Sequence, residues 1–568
     1  TFGNVTIQRS AFNSDGSPKY TRGVIVNGGT TTMGNLTIGS TNSSATFSMT
    51  GGSLIISGTF SLAPGTASNR PSFAQVTGGT LTSPNPMLIS AAANQIGTLS
   101  IAGGTTSLPG ISMFQGGASG ANATVTVGGA SGGALYIDSS GIQADFSSGT
   151  STGSVVMAVG GGTLGATADW SSNVPFAVTD TTGLTSIKAA DASNVPHNIT
   201  LTGAVTGVGN LVKTGGGTLT LSSSNSTFTG GTIIKAGTLL TTAAAVPATA
   251  INGTTTNTST SIVLDTAAGL FVGQSVTGAG IPAGATITAV DTGANTITLS
   301  AAATQDGTGS LTFGAHSALG NGPLTMAGGT LNTGGFSQLL TTLKVKANSA
   351  LDLGTGNTGE TLAFGNSSLI HWNFSTNADP RKLNILDWTG TGSDSDLDQI
   401  IFPSATSLNP NQLSQIEFNG AGFAKLRQIT SGTNAGQFEL VPSATAPVGI
   451  LTLGDINQDG VVNTKDISAM MSALTDLTDY QNGTSSVRST GGAWNQSQLV
   501  YVADVNLDGV VDNRDTQALT SYIANGLTGG GGGSLTAVPE PASLVLWAAG
   551  GVVVVGCGYC GKRRRRSN

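Results

Sequence analysis

The chain has 568 residues, of which 85 are glycine, only 9% are charged and 5% are aromatic, and its formal net charge is −7. Apolar residues make up 38% of the chain, whereas disordered chains combine low hydrophobicity with high net charge. We expect no nucleic-acid partner, because basic residues are sparse except at the C-terminus and form no face that could neutralise phosphates. The length predicts several domains, and the alternation of apolar residues with Thr, Ser and Asn predicts a mainly β fold of short strands.

Two features of the ends bear on export. Both cysteines, Cys557 and Cys560, lie close to the C-terminus, so the rest of the chain is expected to hold no disulfide, which fits an exported protein. The chain begins at Thr1 with neither Met nor a signal peptide, and we expect this N-terminus to be processed or truncated.

A Gly-Gly pair followed by a small or β-branched residue recurs along the first part of the chain. The copies begin, roughly 23 to 29 residues apart, at Gly28, Gly51, Gly78, Gly103, Gly132 and Gly161. This period is typical of solenoid coils, whose stacking buries a core that one coil cannot bury alone. Glycine supplies the positive-φ corners, and the alternating apolar residues supply the inner face. Residues 1–242 are therefore predicted to form a parallel β-solenoid rather than a flexible linker.

Part of this region resembles a known repeat. Residues 211–221, LVKTGGGTLTL, and residues 228–239, FTGGTIIKAGTL, resemble the autotransporter-associated β-strand repeat. Residues 318–331, ALGNGPLTMAGGTL, are similar to the unit that commonly follows it. The resemblance implies a parallel β-helix passenger on a cell surface.

Two further segments are predicted to belong to the same half of the protein. Short β runs separated by Pro-Ala-Gly and Thr-Gly-Ala-Asn turns predict a small antiparallel β-domain at residues 243–313, inserted in the solenoid. Residues 314–445 are predicted to continue the solenoid and cap it, since open strand edges would otherwise pair with other chains. The residues expected to close the end are Trp372, Phe374, Leu383, Ile385, Trp388, Ile400, Ile401 and Phe402.

Two Asp-rich loops of identical spacing lie in the last third of the chain. Each has oxygen-bearing side chains at loop positions one, three, five, nine and twelve, Gly at six, and Val at seven, whose carbonyl would be a ligand. A hard cation surrounded by about six to eight oxygens needs this arrangement. The predicted ligands are Asp455, Asn457, Asp459, Val461, Asn463 and Asp466, and then Asp504, Asn506, Asp508, Val510, Asp512 and Asp515. One such loop could be a solvated Asx-turn, but two predict two calcium sites, the second tighter because Asp512 adds a carboxylate.

An apolar helical pattern follows each loop. Its residues are Ile467, Met470, Met471 and Leu474 after the first loop, and Ala518, Leu519, Tyr522 and Ile523 after the second. Paired loops and helices of this kind resemble the type I dockerin family, which predicts a small α-helical module at residues 448–527. The resemblance implies calcium binding and docking on a cohesin-like partner.

The match to that family has two departures. The loops begin about 49 residues apart, wider than the compact family pattern. The residues at the positions associated with cohesin choice are Thr464-Lys465 and Asn513-Arg514 rather than a hydroxyl pair. Calcium binding therefore carries over more firmly than cohesin binding.

The C-terminal residues predict a membrane segment at residues 538–568, after a Gly-rich linker at 528–537. The motif Val538-Pro539-Glu540-Pro541 precedes an apolar run, residues 542–560, of about 19 residues, which is just enough for a transmembrane helix. A basic cluster follows, Arg563, Arg564, Arg565 and Arg566, which should hold the C-terminus in the cytoplasm. Together they resemble the PEP-CTERM sorting signal, which implies transient anchoring in the inner membrane and processing by an exosortase-type enzyme. An ordinary single-pass anchor is the alternative.

We expect no catalytic site. The three histidines, His197, His316 and His371, are far apart in sequence and lack a local nucleophile motif, so each is interpreted as a surface or capping residue. The four glutamates are Glu360, Glu417, Glu439 and Glu540, and a glycosidase needs two carboxylates flanking the scissile bond. The solenoid segment shows no Asp cluster beside Arg or Lys of the kind that β-helix lyases use.

The sequence thus predicts a non-enzymatic exported protein of the cell surface or extracellular matrix, structural or adhesive in role, with extracellular polysaccharide as an expected partner. The first alternative is a dockerin-bearing component of a polysaccharide-degrading assembly. The second alternative is a β-helix polysaccharide lyase.

Overall fold

The structure is a computed structural model with side chains. It describes residues 5–7, 23–39, 45–64, 71–90, 93–113, 120–129, 132–145, 154–182, 185–271, 274–355, 359–372, 382–394, 396–445, 447, 453–459, 461–483, 487, 496–506, 508 and 510–524. The predicted linker at 528–537, the sorting segment with its transmembrane helix at 538–568, and Phe374 lie outside these residues.

The first part of the described chain consists of strands that stack in parallel, each on the strand one coil earlier. The strands are β1 (Val5–Ile7), β2 (Gly23–Met33), β3 (Leu36–Ile38), β4 (Thr46–Ile56), β5 (Phe60–Leu62), β6 (Pro71–Thr82), β7 (Met87–Ile89), β8 (Ile96–Met113), β9 (Asn122–Val127), β10 (Ala134–Ala144), β11 (Ser154–Val159), β12 (Thr163–Ala166), β13 (Trp170–Ser172), β14 (Phe176–Val178), β15 (Ser186–Lys188), β16 (Ile199–Leu201), β17 (Val205–Thr206), β18 (Leu211–Thr214), β19 (Thr218–Leu221), β20 (Thr232–Ile234) and β21 (Thr238–Thr241).

The Gly-Gly period of the sequence is the coil period of this solenoid. The residue that follows each Gly-Gly pair lies directly beside its counterpart in the next coil, and the pairs are Thr30 with Ser53, Ser53 with Thr80, Thr80 with Thr105, Thr105 with Ala134 and Ala134 with Thr163. The prediction of a mainly β fold with parallel, β-helix-like sheets is therefore confirmed.

Glycine is required at these corners for both conformation and space. Gly79 has a φ of 78°, and a Cβ there would lie 2.3 Å from the carbonyl oxygen of Gly52 in the preceding coil. Away from the corners, inward and outward side chains alternate. In β9, for example, Ala123, Val125 and Val127 are buried and join a continuous core.

Residues 249–313 form a separate antiparallel sheet with its own hydrophobic core. Its strands are β22 (Thr249–Thr255), β23 (Ser261–Leu264), β24 (Val276–Thr277), β25 (Ile287–Asp291), β26 (Thr296–Leu299) and β27 (Gly307–Phe313), in the spatial order β24-β27-β22-β23-β26-β25. The solenoid coils before and after this insert stack on each other directly, with Thr232 beside Leu324. The backbones of Val246 and His316 exchange hydrogen bonds of 2.7 and 3.0 Å and close the neck of the insert.

The solenoid then continues and ends. Its elements are β28 (Leu324–Met326), β29 (Thr330–Asn332), β30 (Gln338–Leu340), β31 (Leu343–Val345), β32 (Ser349–Asp352), β33 (Thr361–Phe364), β34 (Leu383–Leu386), β35 (Gln399–Phe402), α1 (Pro410–Ser414), β36 (Ile416–Phe418), β37 (Phe423–Gln428) and β38 (Phe438–Ser443). Strands β30, β33 and β35 pair in parallel, and β38 and β37 then add antiparallel pairs. We call the sheet β30-β33-β35-β38-β37, with α1 and their loops, the cap.

The residues predicted to close the solenoid end are largely inside it. Trp372, Leu383, Ile385, Ile400, Ile401 and Phe402 are buried, and Trp388 is partly buried against the same core. The cap therefore extends the solenoid core rather than forming one of its own.

The last described part, residues 453–524, contains the two Asp-rich loops, and we call it the calcium-loop module after the sites predicted there. Its helices are α2 (Thr464–Ala473), α3 (Leu477–Asn482), α4 (Gln496–Ala503) and α5 (Asn513–Ala524). Helices α2 and α5 pack against each other over a core separate from that of the solenoid. None of the helices within the described residues is long and apolar enough to cross a membrane.

Candidate calcium-binding loops

The first loop is organised by two of its own carboxylates. Asp455 Oδ1 accepts the backbone N–H of Asp459 at 3.1 Å. Asp466 accepts the N–H of Asn457 at 3.0 Å through Oδ1 and the N–H of Asn463 at 2.8 Å through Oδ2. These bonds connect loop positions one, three, five, nine and twelve, the same positions that the sequence predicts as ligands.

The second loop repeats this network. Asp504 Oδ1 accepts the N–H of Asp508 at 3.1 Å, and Asp515 accepts the N–H groups of Asn506 at 3.0 Å and Asp512 at 2.9 Å. The two loops are therefore copies in structure as well as in sequence.

Each loop passes directly into a helix, and in the first loop the last of the predicted ligands also caps that helix. Asn463 is the N-cap of α2, and its side chain accepts the N–H of Lys465 at 2.8 Å. Asp466 completes a capping box by accepting the N–H of Asn463. Since carboxylates near a helix N-terminus are stabilised by the helix dipole, the loop geometry and the start of the helix depend on the same side chain.

The core of the module holds the first loop in place. Ile456, at position two of the first loop, is fully buried. Its carbonyl accepts a 2.7 Å hydrogen bond from the hydroxyl of Tyr480, which is also fully buried in α3. Gly454, just before the loop, donates its N–H to the carbonyl of Val502 in α4 at 2.9 Å.

The sequence pattern predicts only the helices that follow the loops, and it does not identify α3 and α4, which lie between the two loops. The available signals were Asp476, which caps α3, Gly483, which ends it with a φ of 73°, and the apolar residues of α4. The predicted face of α2 was partly wrong. Met470 is buried, but Met471 is 59% exposed, because the helix turns it away from the core of the module.

The clustered carboxylates of the second loop influence one another's pKa values. Burial raises the pKa of Asp515, and the charges of Asp504 and Asp508 raise it further. By contrast, the backbone N–H of Val510 holds the pKa of Asp508 below its usual value, with Arg514 contributing. Arg514 Nη1 lies 3.4 Å from Asp508 Oδ2 and 3.9 Å from Asp512 Oδ2.

The donors present fit calcium better than a softer metal. Within the described part of the chain, no three His, Cys, Asp or Glu side chains are placed to hold a metal by themselves. Each loop instead combines carboxylates with Asn side chains and a Val carbonyl, an all-oxygen set of the kind that calcium takes. Asp455, Asp466, Asp504 and Asp515 are buried, so a bound cation would also compensate buried negative charge.

Comparison with known families decides what this module resembles. Residues 453–524 match the model of the dockerin type I domain. Residues 211–240, in strands β18 to β21, match the passenger-associated-transport-repeat. No match to the chain was found among curated proteins or among solved structures.

These matches confirm the repeat and dockerin resemblances drawn from the sequence. They indicate a surface or secreted protein that carries a dockerin module. Type I dockerin domains bind calcium, which supports calcium as the metal of this chain.

The structure also places several of the other titratable residues considered in the sequence. His316 is buried, and its Nδ1 lies 2.7 Å from the carbonyl oxygen of Ser224. Glu417 pairs with Lys382 at 3.0 Å. Glu360 and Glu439 are both buried in the cap. His371 reaches the calcium-loop module.

Proposed function

We propose that the chain is a non-enzymatic exported protein of the cell surface or extracellular matrix. In this proposal the solenoid is structural or adhesive, and the dockerin module binds two calcium ions and a cohesin-like partner. The observation that carries the proposal is the duplicated hydrogen-bond network of the two loops, within the residues that match the dockerin type I domain.

Calcium would complete the fold of the module. The predicted ligands include residues that cap α2 and begin α5, so the free energy of calcium binding becomes free energy of folding. Calorimetric titration of the whole chain with calcium should show two binding events, accompanied by a gain in helicity. A chain that takes up no calcium, or takes it up without a change in helicity, contradicts this part of the proposal.

A cohesin-like partner is supported by the surface beside the second loop. A groove of about 450 Å³ is lined by Met471, Leu474, Thr475, Leu477, Val511, Asp512 and Asn513. Its exposed apolar edge is Met471, and dockerin domains typically bind cohesin partners. A purified cohesin domain should be retained by the chain in calcium but not in a chelator, and Met471→Asp should weaken retention. If the retained complex also contains glycan-degrading enzymes, the alternative role in a polysaccharide-degrading assembly is favoured.

An adhesive role is supported by a polar groove of about 580 Å³ on the solenoid. Its lining residues are Ser139, Asp169, Trp170, Ser171, Asn198, Thr200, Thr218 and Thr220. Asp169 is held by two hydrogen bonds from Asn198, so hydroxyl groups remain as the main contacts for a ligand. Retention on extracellular polysaccharide columns without turnover would support adhesion, and release of unsaturated sugars would identify a lyase instead.

Export and sorting are proposed from Val538-Pro539-Glu540-Pro541, the apolar run and the arginine cluster. An exosortase-type enzyme would remove the tail close to this motif and release the protein from the inner membrane. Mass spectrometry of the surface protein should find it without Arg563 to Arg566. Recovery of the intact tail would favour a permanent anchor.

A further inference from the structure

His371 is held firmly at the end of the solenoid. The next residue, Trp372, is fully buried and donates its Nε1–H to the carbonyl of Leu343 at 3.0 Å. The preceding residue, Ile370, offers its carbonyl to the side chain of the buried Gln412 at 2.9 Å. With both neighbours fixed, the direction of the histidine is set by the solenoid and the cap.

The side chain of His371 points at the second calcium loop. Its Nε2 lies 3.3 Å from Oδ2 of Asp504, the carboxylate at loop position one. Asp504 is fully buried and His371 is only 13% exposed, so the contact is largely shielded from water. The other oxygen of Asp504, Oδ1, accepts the N–H of Asp508 and therefore faces the loop.

The charges on the two sides of this contact are complementary. The loop carries the four carboxylates of Asp504, Asp508, Asp512 and Asp515. On the solenoid side, Lys344, which follows Leu343 in β31, places a positive charge near His371 and opposite the loop carboxylates. A buried carboxylate with a polar partner on its outer side is oriented more strictly than one that faces water.

We propose that the end of the solenoid completes the second calcium loop, with His371 as a positioning residue that holds the outer oxygen of Asp504 and so directs the other oxygen to the cation. This inference rests on the proposed calcium function. It makes the second loop, unlike a free-standing module, dependent on the solenoid. By reciprocity, calcium in the second loop fastens the module to the solenoid end.

The test uses the whole chain and calcium alone as the titrant. Outer partners of metal ligands are worth about 10- to 100-fold in affinity, so His371→Ala should weaken one site by roughly tenfold. His371→Gln, which keeps a donor, should restore most of the affinity. His197→Ala, at a histidine several coils away, is the matched control and should leave both sites unchanged.

Two variants that each disable one loop show which loop loses calcium affinity when His371 is replaced. With Asp466→Ala the second loop remains, and adding His371→Ala should still weaken it. With Asp515→Ala the first loop remains, and adding His371→Ala should have no effect on it. Equal affinities with and without His371→Ala in the first background, or an equal loss with His371→Gln, would overturn the inference while leaving the calcium function intact. A parent chain that binds no calcium would overturn both.

A second readout separates orientation from general damage. Hydrogen exchange of the backbone around Ile370 and Trp372 should slow when calcium is added to the parent chain. It should not slow in Asp515→Ala, whose second loop lacks its last carboxylate. Calcium-independent exchange in the parent chain would contradict the coupling of the module to the solenoid end.

Discussion

The cap of the solenoid and the calcium-loop module both bury carboxylates, but they surround them with different groups. In the module, both oxygens of Asp466 and of Asp515 accept backbone N–H groups. In the cap, Glu360 receives one bond at 2.7 Å, from Thr333, and its Oε1 has no hydrogen-bond partner among the described residues. The module thus supplies donors to ionised carboxylates, whose negative charge a cation can compensate. The surroundings of Glu360 in the cap instead favour a neutral acid.

The pKa values express this difference. Burial raises the pKa of Glu360 to about 8, and the nearby Asp398 and Asp352 oppose its ionisation further. Burial also raises the pKa of Glu439 to about 7, although Arg427 pairs with its carboxylate. Burial thus favours the neutral form of Glu360, whose carboxyl group receives a single hydrogen bond within the described residues, from Thr333.

Removing the last carboxylate of a calcium loop should have the greatest effect on the module. Asp515→Ala should lower calcium affinity at the second loop by at least about 100-fold, since even outer partners of a ligand are worth about 10- to 100-fold. Asp466→Ala should do the same at the first loop. Calorimetry and helicity of both variants measure the effect, and the Asp515 variant should lose the tighter site.

The next prediction concerns the pH dependence of cap stability, which the buried Glu360 should control. The unfolded chain releases the proton of Glu360 near its ordinary pKa of 4.5, whereas the folded cap holds it to about 8. The stabilisation is therefore complete below pH 4.5 and is lost as the pH rises to about 8. Glu360→Gln should flatten this profile, with a change of at most about 5 kcal/mol at the alkaline end, since one pKa unit corresponds to about 1.4 kcal/mol.

Denaturant unfolding of the solenoid at several pH values checks this prediction. Thr333→Val offers a matched comparison, because it removes the donor to Glu360 and leaves the carboxyl group in place. If parent and Glu360→Gln chains show the same pH profile, the buried acid does not control cap stability.

A smaller effect tests whether the module depends on neutral contacts as well as on charge. Tyr480→Phe removes the hydroxyl that binds the buried carbonyl of Ile456. An unsatisfied buried acceptor costs about 1–3 kcal/mol, so the calcium-loaded module should melt at a lower temperature. Unchanged melting would mean that water replaces the hydroxyl, and that charge alone decides the stability of the first loop.

Exchanging the residues at loop position nine should have a small effect on calcium affinity. Asp512→Asn gives the second loop the uncharged position nine of the first, and Asn463→Asp does the reverse. Ligand charge tunes the affinity of such loops, so the first change should lower affinity a few-fold and the second should raise it. In calcium titrations of both variants, the difference in affinity between the two loops should become smaller. An unchanged difference would contradict the role of charge.

Features encoded by neighbouring residues could be predicted from the sequence, whereas features that depend on contacts between distant residues could not. The solenoid could be predicted from the Gly-Gly copies because each copy occupies the same corner, as at Gly52 and Gly79. The loops could be predicted because their ligands lie within twelve consecutive residues. The raised pKa of Glu360 could not be predicted, since its environment includes Thr333 and Asp398 from other coils.

The surroundings of His371 also depend on contacts between residues distant in sequence. His371 was interpreted as a surface or capping residue, and it does lie at the solenoid end, but it is largely buried against Asp504. Nothing near His371 in sequence indicates that contact, because it joins two parts of the chain with separate cores. The exposure of Met471 was missed for a related reason, since an apolar stripe does not show which of its members the partner helix covers.

The unbroken stacking across the insert has a consequence for the order in which the chain folds. Strands β20 and β28 are neighbours in the sheet, yet the entire insert is synthesised between them. Parallel pairing over such a distance is slow, whereas the antiparallel pairs of the insert, such as β25 with β26, are local in sequence. We therefore expect the local pairs of the insert to form before β28 stacks on β20, so that the solenoid folds in two stages.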